Sequence, residues 1–165
     1  ILTFFCLLIL SACAQNLKGG VSQDFIPKGF YGSWGVISKL NSTNNPKIFN
    51  YESRDVWVLS GYEASKNSSI LVLENLQSGA QSQITIKEKS ADGKTLKFQK
   101  QREEKEKAGY AIYKETVVFT LLGNNFSGTD DFIVEHYDLE KNLIKRDEAQ
   151  YIVKGVKISG STEIK

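Results

Sequence analysis

Methionine is absent from this chain of 165 residues, proline occurs twice, histidine once and cysteine twice. Each scarcity excludes something. Both cysteines, Cys6 and Cys13, sit near the start, so no downstream pair can staple a domain and no thiolate cluster can hold zinc. A single histidine offers no closed ligand set for a structural metal. Charge of one sign is missing as well: 21 Lys and Arg stand against 19 Asp and Glu. That balance gives no basic surplus for nucleic acid or an anionic bilayer. With 13 glycines, 11% aromatic residues and little proline, the composition is that of a folded, turn-rich chain rather than a disordered one.

The first residues are different in kind. Leu2, Phe4, Phe5, Leu7, Leu8, Ile9 and Leu10 make an uncharged apolar run ending at Ala12. It falls short of the roughly 20 residues that a membrane-spanning helix needs, and matches the apolar region of a secretory signal, about 7–15 residues long. A basic beginning is expected ahead of such a region, and with no methionine present the sequence reads as N-terminally truncated. The run ends Leu10-Ser11-Ala12-Cys13, which resembles the lipobox of bacterial lipoproteins. That resemblance implies cleavage before Cys13, lipidation of its thiol, and tethering to a membrane through the acyl chains. Ala14 in the next position implies export to the outer membrane, at its periplasmic face or the cell surface. A second reading stays open: Ala12-Cys13-Ala14 also fits the small-x-small site of an ordinary signal peptidase, which would release the chain before Gln15. The Asn-x-Ser/Thr patterns at Asn41, Asn67 and Asn125 decide nothing.

The chain therefore divides into a signal over 1–12, a lipidated cysteine and flexible tether over 13–28, a β-domain over 29–160, and a tail over 161–165. The tether is polar and holds Gly19-Gly20 and Pro27. Beyond it, alternating apolar and polar residues mark strands: Gly29 to Ser38, Asp55 to Ser60, Ile70 to Leu76, Gln83 to Lys89, Thr95 to Lys100, Tyr110 to Leu122, Phe126 to Asp138, and Leu143 to Ile158. Asn41 to Pro46 reads as a loop and Asp92-Gly93 as a tight hairpin turn. Gln101 to Lys107 mixes both charge signs and reads as a solvated loop, a hairpin tip or a short helix. About eight successive strands without a helix make an all-β antiparallel meander, expected to close into a barrel that removes its edges. A β-sandwich is the alternative. Lys, Glu and Gln on both alternating faces exclude a membrane-spanning barrel.

Gly32-Ser33-Trp34 heads the first strand and resembles the Gly-x-Trp signature of lipocalins and related calycins. The resemblance implies an eight-stranded barrel closed at one end by Gly32 and Trp34. It also implies a basic residue from the last strand over the indole, for which Lys154 and Lys157 are the candidates, although the family usually carries Arg there. Trp34 as a simple core aromatic is the competing reading.

No constellation of reactive residues stands out. Asp130, Asp131, Glu135, His136 and Asp138 are the densest group, with Asp130, His136 and Asp138 on one strand face and Asp131 and Glu135 on the other. A metal or proton-transfer site is one reading, a hydrogen-bonded polar face the plainer one. Glu52, Asp55, Glu63 and Glu74 supply carboxylates without singling out a glycosidase pair. The expectation is a non-enzyme without cofactor or metal. It is either a lipocalin-like carrier of a small hydrophobic ligand, with Trp57, Phe98, Phe119 and Phe132 lining its pocket, or an interaction protein with a filled core that contacts an envelope partner.

Overall fold

The computed structural model describes residues 27–65 and 68–160; Cys13, the signal, most of the tether and the tail lie outside the described residues. A 3-10 turn, Lys28–Phe30, leads into β1 (Gly32–Thr43), β2 (Glu52–Ser65), β3 (Ser68–Asn75), β4 (Ala80–Lys89), β5 (Thr95–Glu106), β6 (Gly109–Leu122), β7 (Asn125–Asp138) and β8 (Leu143–Lys157). Every strand pairs antiparallel with the next, and β1 pairs with β8, so the sheet closes into an eight-stranded barrel. The sandwich alternative is thereby excluded, since one continuous ladder leaves no second sheet.

Period-two alternation decides which side chains enter the barrel. On β1, Trp34, Val36 and Ser38 turn inward while Ile37 and Lys39 face solvent. The register carries this phase around the wall: Leu96 lies beside Phe119, Phe98 beside Val117, Val117 beside Asp130, and Gly128 beside Val153. In the half of the barrel nearer the 3-10 turn, Phe30, Trp34, Leu59, Leu96, Phe98, Val117, Phe119, Phe126 and Val153 are almost wholly buried and fill the interior. Phe119 and Phe126 stack at 4.1 Å, Phe98 meets Phe119 edge-on at 5.3 Å, and Trp34 meets Phe126 edge-on at 5.2 Å. A Cβ at Gly155 would collide with the Phe126 ring, so the absence of a side chain on β8 is what lets this ring lie flat against the wall.

The 3-10 turn caps that end. Trp34 donates its indole N–H to the Phe30 carbonyl at 2.9 Å, and Lys157 donates to the Gly29 carbonyl at 3.0 Å. The Lys157 ammonium also stands 5.2 Å from the Trp34 ring centroid, whereas Lys154 is exposed on the outer face. Gly32 adopts φ +116, and a Cβ there would press on the Ser159 and Gly160 carbonyls. The chain can therefore enter β1 beneath its own C-terminal segment only as glycine.

Three sequence expectations change. The first strand, expected from Gly29, begins at Gly32, because Lys28–Phe30 coil into the 3-10 turn that caps the barrel. β1 continues to Thr43, through the expected loop start at Asn41, because Thr43 pairs with Ala149 of β8. The charged segment Gln101 to Lys107 is strand as far as Glu106, paired with β6 up to Gly109. Both faces of that segment are exposed, so alternation of apolar and polar residues has nothing to report. Arg102 lies over the Tyr113 ring at 4.2 Å and pairs with Glu104.

Candidate functional site

Above the packed half, toward the β1–β2 and β7–β8 connections, the inward positions turn polar. Lys100 follows Phe98 on β5, Glu115 precedes Val117 on β6, Asp130 lies beside Val117 on β7, and Ser38 follows Val36 on β1. A cavity of about 210 Å³ opens here, bounded by Trp57 on the plug side and by Phe49 and Phe132 toward the rim, with Ser38, Ser53, Asp55, Asn75, Lys100, Glu115, Asp130 and Tyr151 around it. Trp57 rests on Phe119 at 5.7 Å in a stacked arrangement, and Phe49 meets Phe132 edge-on at 5.9 Å.

Its polar groups are unequally satisfied. Lys100 and Glu115 form an ion pair at 2.7 Å. One Asp55 oxygen accepts from the amides of Val56 at 2.7 Å and Gln77 at 3.3 Å. Asp130 is only 8% exposed, and its Oδ1 has no hydrogen-bond partner. A buried, unpartnered carboxyl oxygen is costly. Burial raises the Asp130 pKa to about 8, with the nearby Glu115 and Asp131 charges adding to the rise and Lys100 opposing it. Asp130 is thus held toward its neutral, proton-bearing form at the border of the cavity. Tyr151 beside it is raised by burial and by the Asp130 charge.

The wall is incomplete on one side. β4 and β5 pair only over Thr85–Lys89 and Leu96–Gln99; beyond Gln99 the two strands part. A slot of about 360 Å³ lies there, lined by Gln83, Thr85, Lys87, Gln99, Gln101 and Lys114 together with Lys100 and Glu115. The Lys100–Glu115 pair borders both spaces and so stands between slot and cavity.

The residues singled out from the sequence separate into three places. Gly32 and Trp34 close the capped end. Trp57 and Phe132 border the cavity. Phe98 and Phe119, grouped with them in the sequence reading, lie one layer lower in the plug, at 0% and 1% exposure, where they support Trp57 instead of facing open space. Cys13 lies outside the described residues.

The β7 acidic group does not converge. Asp131 faces outward and accepts from Gln150 at 2.9 Å. Glu135, also outward, accepts from Lys114 at 2.6 Å and Tyr137 at 2.9 Å, and the Lys114 ammonium foremost holds its carboxyl below the ordinary range. His136 faces inward near the rim, 3.1 Å from Glu106 and 3.8 Å from Asp147. Asp138 organises the β7–β8 turn by accepting from the Glu140 and Asn142 amides at 2.9 and 2.8 Å. Among the described residues, no three His, Cys, Asp or Glu side chains are grouped to hold a metal ion.

What sequence reasoning missed is Lys100 and Glu115, and their convergence with Asp130 in one inner ring. The signal was present: each continues, in phase, the apolar face of its strand. Compared with known proteins, the chain matches no family model, no curated protein and no solved structure.

Proposed function

We propose that this chain is a lipid-anchored bacterial envelope protein of calycin-like architecture whose barrel binds one small molecule in its half-open upper cavity. The observation that carries the binding reading is the cavity beside Asp130, an unpartnered buried acid at a built opening. Polar groups converging on a recess that also presents aromatic faces are how small-ligand sites are made. The lipocalin resemblance is supported by the closed eight-stranded meander and by Lys157 over the Trp34 indole. Anchoring rests on the Leu10-Ser11-Ala12-Cys13 lipobox.

The ligand first expected, a small hydrophobic molecule carried in the barrel, is narrowed by this geometry. The lower half is filled with aromatic and aliphatic side chains, and about 210 Å³ of partly polar space remains. A long acyl chain has no room beneath Trp57; a compact amphipathic molecule fits. Native mass spectrometry of the full chain purified from its host membrane tests this. A stoichiometric small adduct supports binding, and a clean apo mass after gentle extraction removes the reading.

The interaction-protein reading is favoured by one observation. Ile48, Tyr51, Leu139, Leu143 and Ile144, on the connections and strand start at the open end, are 51–82% exposed. Exposed apolar side chains gathered at one end suit a protein partner. In that case crosslinking in intact cells captures the partner through these positions, and the apo mass is the native state.

A further inference from the structure

We propose that the upper cavity takes a small organic cation, a primary or quaternary amine, with its charged nitrogen against Asp130 and its apolar body on the surrounding rings. The proposal rests on the small-molecule reading above and names the ligand class for that site.

Charge points first. Asp55, Glu115 and Asp130 face the cavity against Lys100 alone, and Lys100 is already committed to Glu115 at 2.7 Å. An anion would meet two carboxylates with no free cation to receive it. A cation meets Asp130, whose Oδ1 is buried and unpartnered. Ring chemistry points the same way. Trp57, Phe49, Phe132 and Tyr151 border the same space, and aromatic faces attract ammonium groups, most strongly where water is excluded. Size then limits the choice. A cavity of about 150 Å³ accommodates benzene, so about 210 Å³ suits a ligand of about eight or nine non-hydrogen atoms.

Proton linkage gives the proposal a signature that simple fit lacks. Asp130 holds its proton in the empty cavity, under the combined influence of burial, Glu115 from β6, Asp131 from its own strand and the opposing Lys100 from β5. Tyr151 of β8 and Asp55 of β2 face it across the same space. To accept an ammonium, the carboxyl must give its proton to solvent. Cation binding therefore releases one proton and strengthens as pH rises toward 8, then levels off.

Calorimetric titration of the full chain with phenethylammonium, choline, 2-phenylethanol and phenylacetate, from pH 6 to 9, tests this. The expected result is that at least one of the two cations binds at least tenfold tighter at pH 8.5 than the neutral alcohol or the acid. Its association constant should rise several-fold per pH unit below pH 8. In D130N, shown folded by near-ultraviolet circular dichroism, cation affinity falls at least tenfold and the pH slope disappears. Should D130N not fold, the wild-type selectivity and pH slope alone decide. The proposal is overturned if the alcohol binds as tightly as the better-bound cation, if phenylacetate is preferred, or if binding weakens as pH rises, the pattern of a carbonyl or hydroxyl accepting the Asp130 proton. Those outcomes leave the small-molecule reading standing. Failure of all four probes together with a clean apo mass removes both.

Discussion

Asp130 makes folding stability depend on pH in a way that one substitution isolates. In the unfolded chain its carboxyl titrates near 3.8, whereas burial in the barrel, with Glu115 and Asp131 nearby, raises it to about 8. The folded state therefore binds a proton that the unfolded state has lost across the window between those values. A raised folded pKa contributes stability that is fully present below about pH 4 and shrinks as pH rises, until nothing is left above about pH 8. Within the window the slope approaches 1.4 kcal/mol per pH unit, so from pH 5 to pH 7 the loss is about 2–3 kcal/mol. Glu135 and Asp147, held below the ordinary range first by Lys114 and Lys145 respectively, act with the opposite sign. Their contributions are present above the unfolded carboxylate range and are lost only under more acid conditions, so they are flat here. With a urea dependence of about 2 kcal/mol per molar, the wild-type midpoint should fall between pH 5 and 7 by about 1 M more than that of D130N. Urea titrations followed by tryptophan fluorescence at pH 5, 6 and 7 measure the difference. D130N can be less stable at every pH; what matters is that its curve is flatter. Parallel curves for the two proteins would show that Asp130 is ionised inside the barrel, and the reasoning about the cavity charge would fail with it.

Further outcomes follow from the packing and the anchor. Gly155→Val places a branched side chain where the Phe126 ring lies and should cost about 2 kcal/mol, as overpacking does, read as a lowered thermal midpoint. Phe126→Ala removes a ring that contacts Phe119, Trp57 and Trp34 and should cost about 3–5 kcal/mol; a loss below 1 kcal/mol in urea unfolding would contradict a filled lower half. Lys157→Met deletes both the hydrogen bond to Gly29 and the charge over Trp34, for a loss of about 1–2 kcal/mol that Lys157→Arg should largely restore. Cys13→Ser should move the chain from the detergent phase to the aqueous phase on phase partitioning; unchanged partitioning would count against lipid on Cys13.

Alternation along the chain was sufficient for the strands, their antiparallel order and the all-β class, because a period of two is a local property of the backbone. The resemblance of Leu10-Ser11-Ala12-Cys13 to a lipobox, that of Gly32-Ser33-Trp34 to a Gly-x-Trp signature and the absence of later cysteines were equally legible, being matters of residue identity. Legibility failed where a segment is wet on both faces: Gln101 to Glu106 forms strand because β6 supplies the ladder, and no alternation is needed when neither face is buried. The division of the aromatics was also hidden. Phe98 and Phe132 look alike on the page, yet one lies in the plug and the other borders the cavity. Depth within the barrel is set by the register of β5, β6, β7 and β8 and not by either residue's neighbours in sequence.

The sequence by itself determined a single β-rich domain and the inward phase of its strands, and it carries the resemblance on which the proposed leader and anchor rest. Only the register of β5, β6 and β7 brought Lys100, Glu115 and Asp130 together from three strands, and only the closed barrel buried Asp130 with one oxygen unpartnered and divided a filled half from an open one. The physical reason is that side-chain alternation is a local property of the extended backbone, whereas burial and charge act through space. The surroundings of Asp130 are supplied by residues from β1, β5, β6 and β8, whose arrangement exists only once the ladder between β1 and β8 is made.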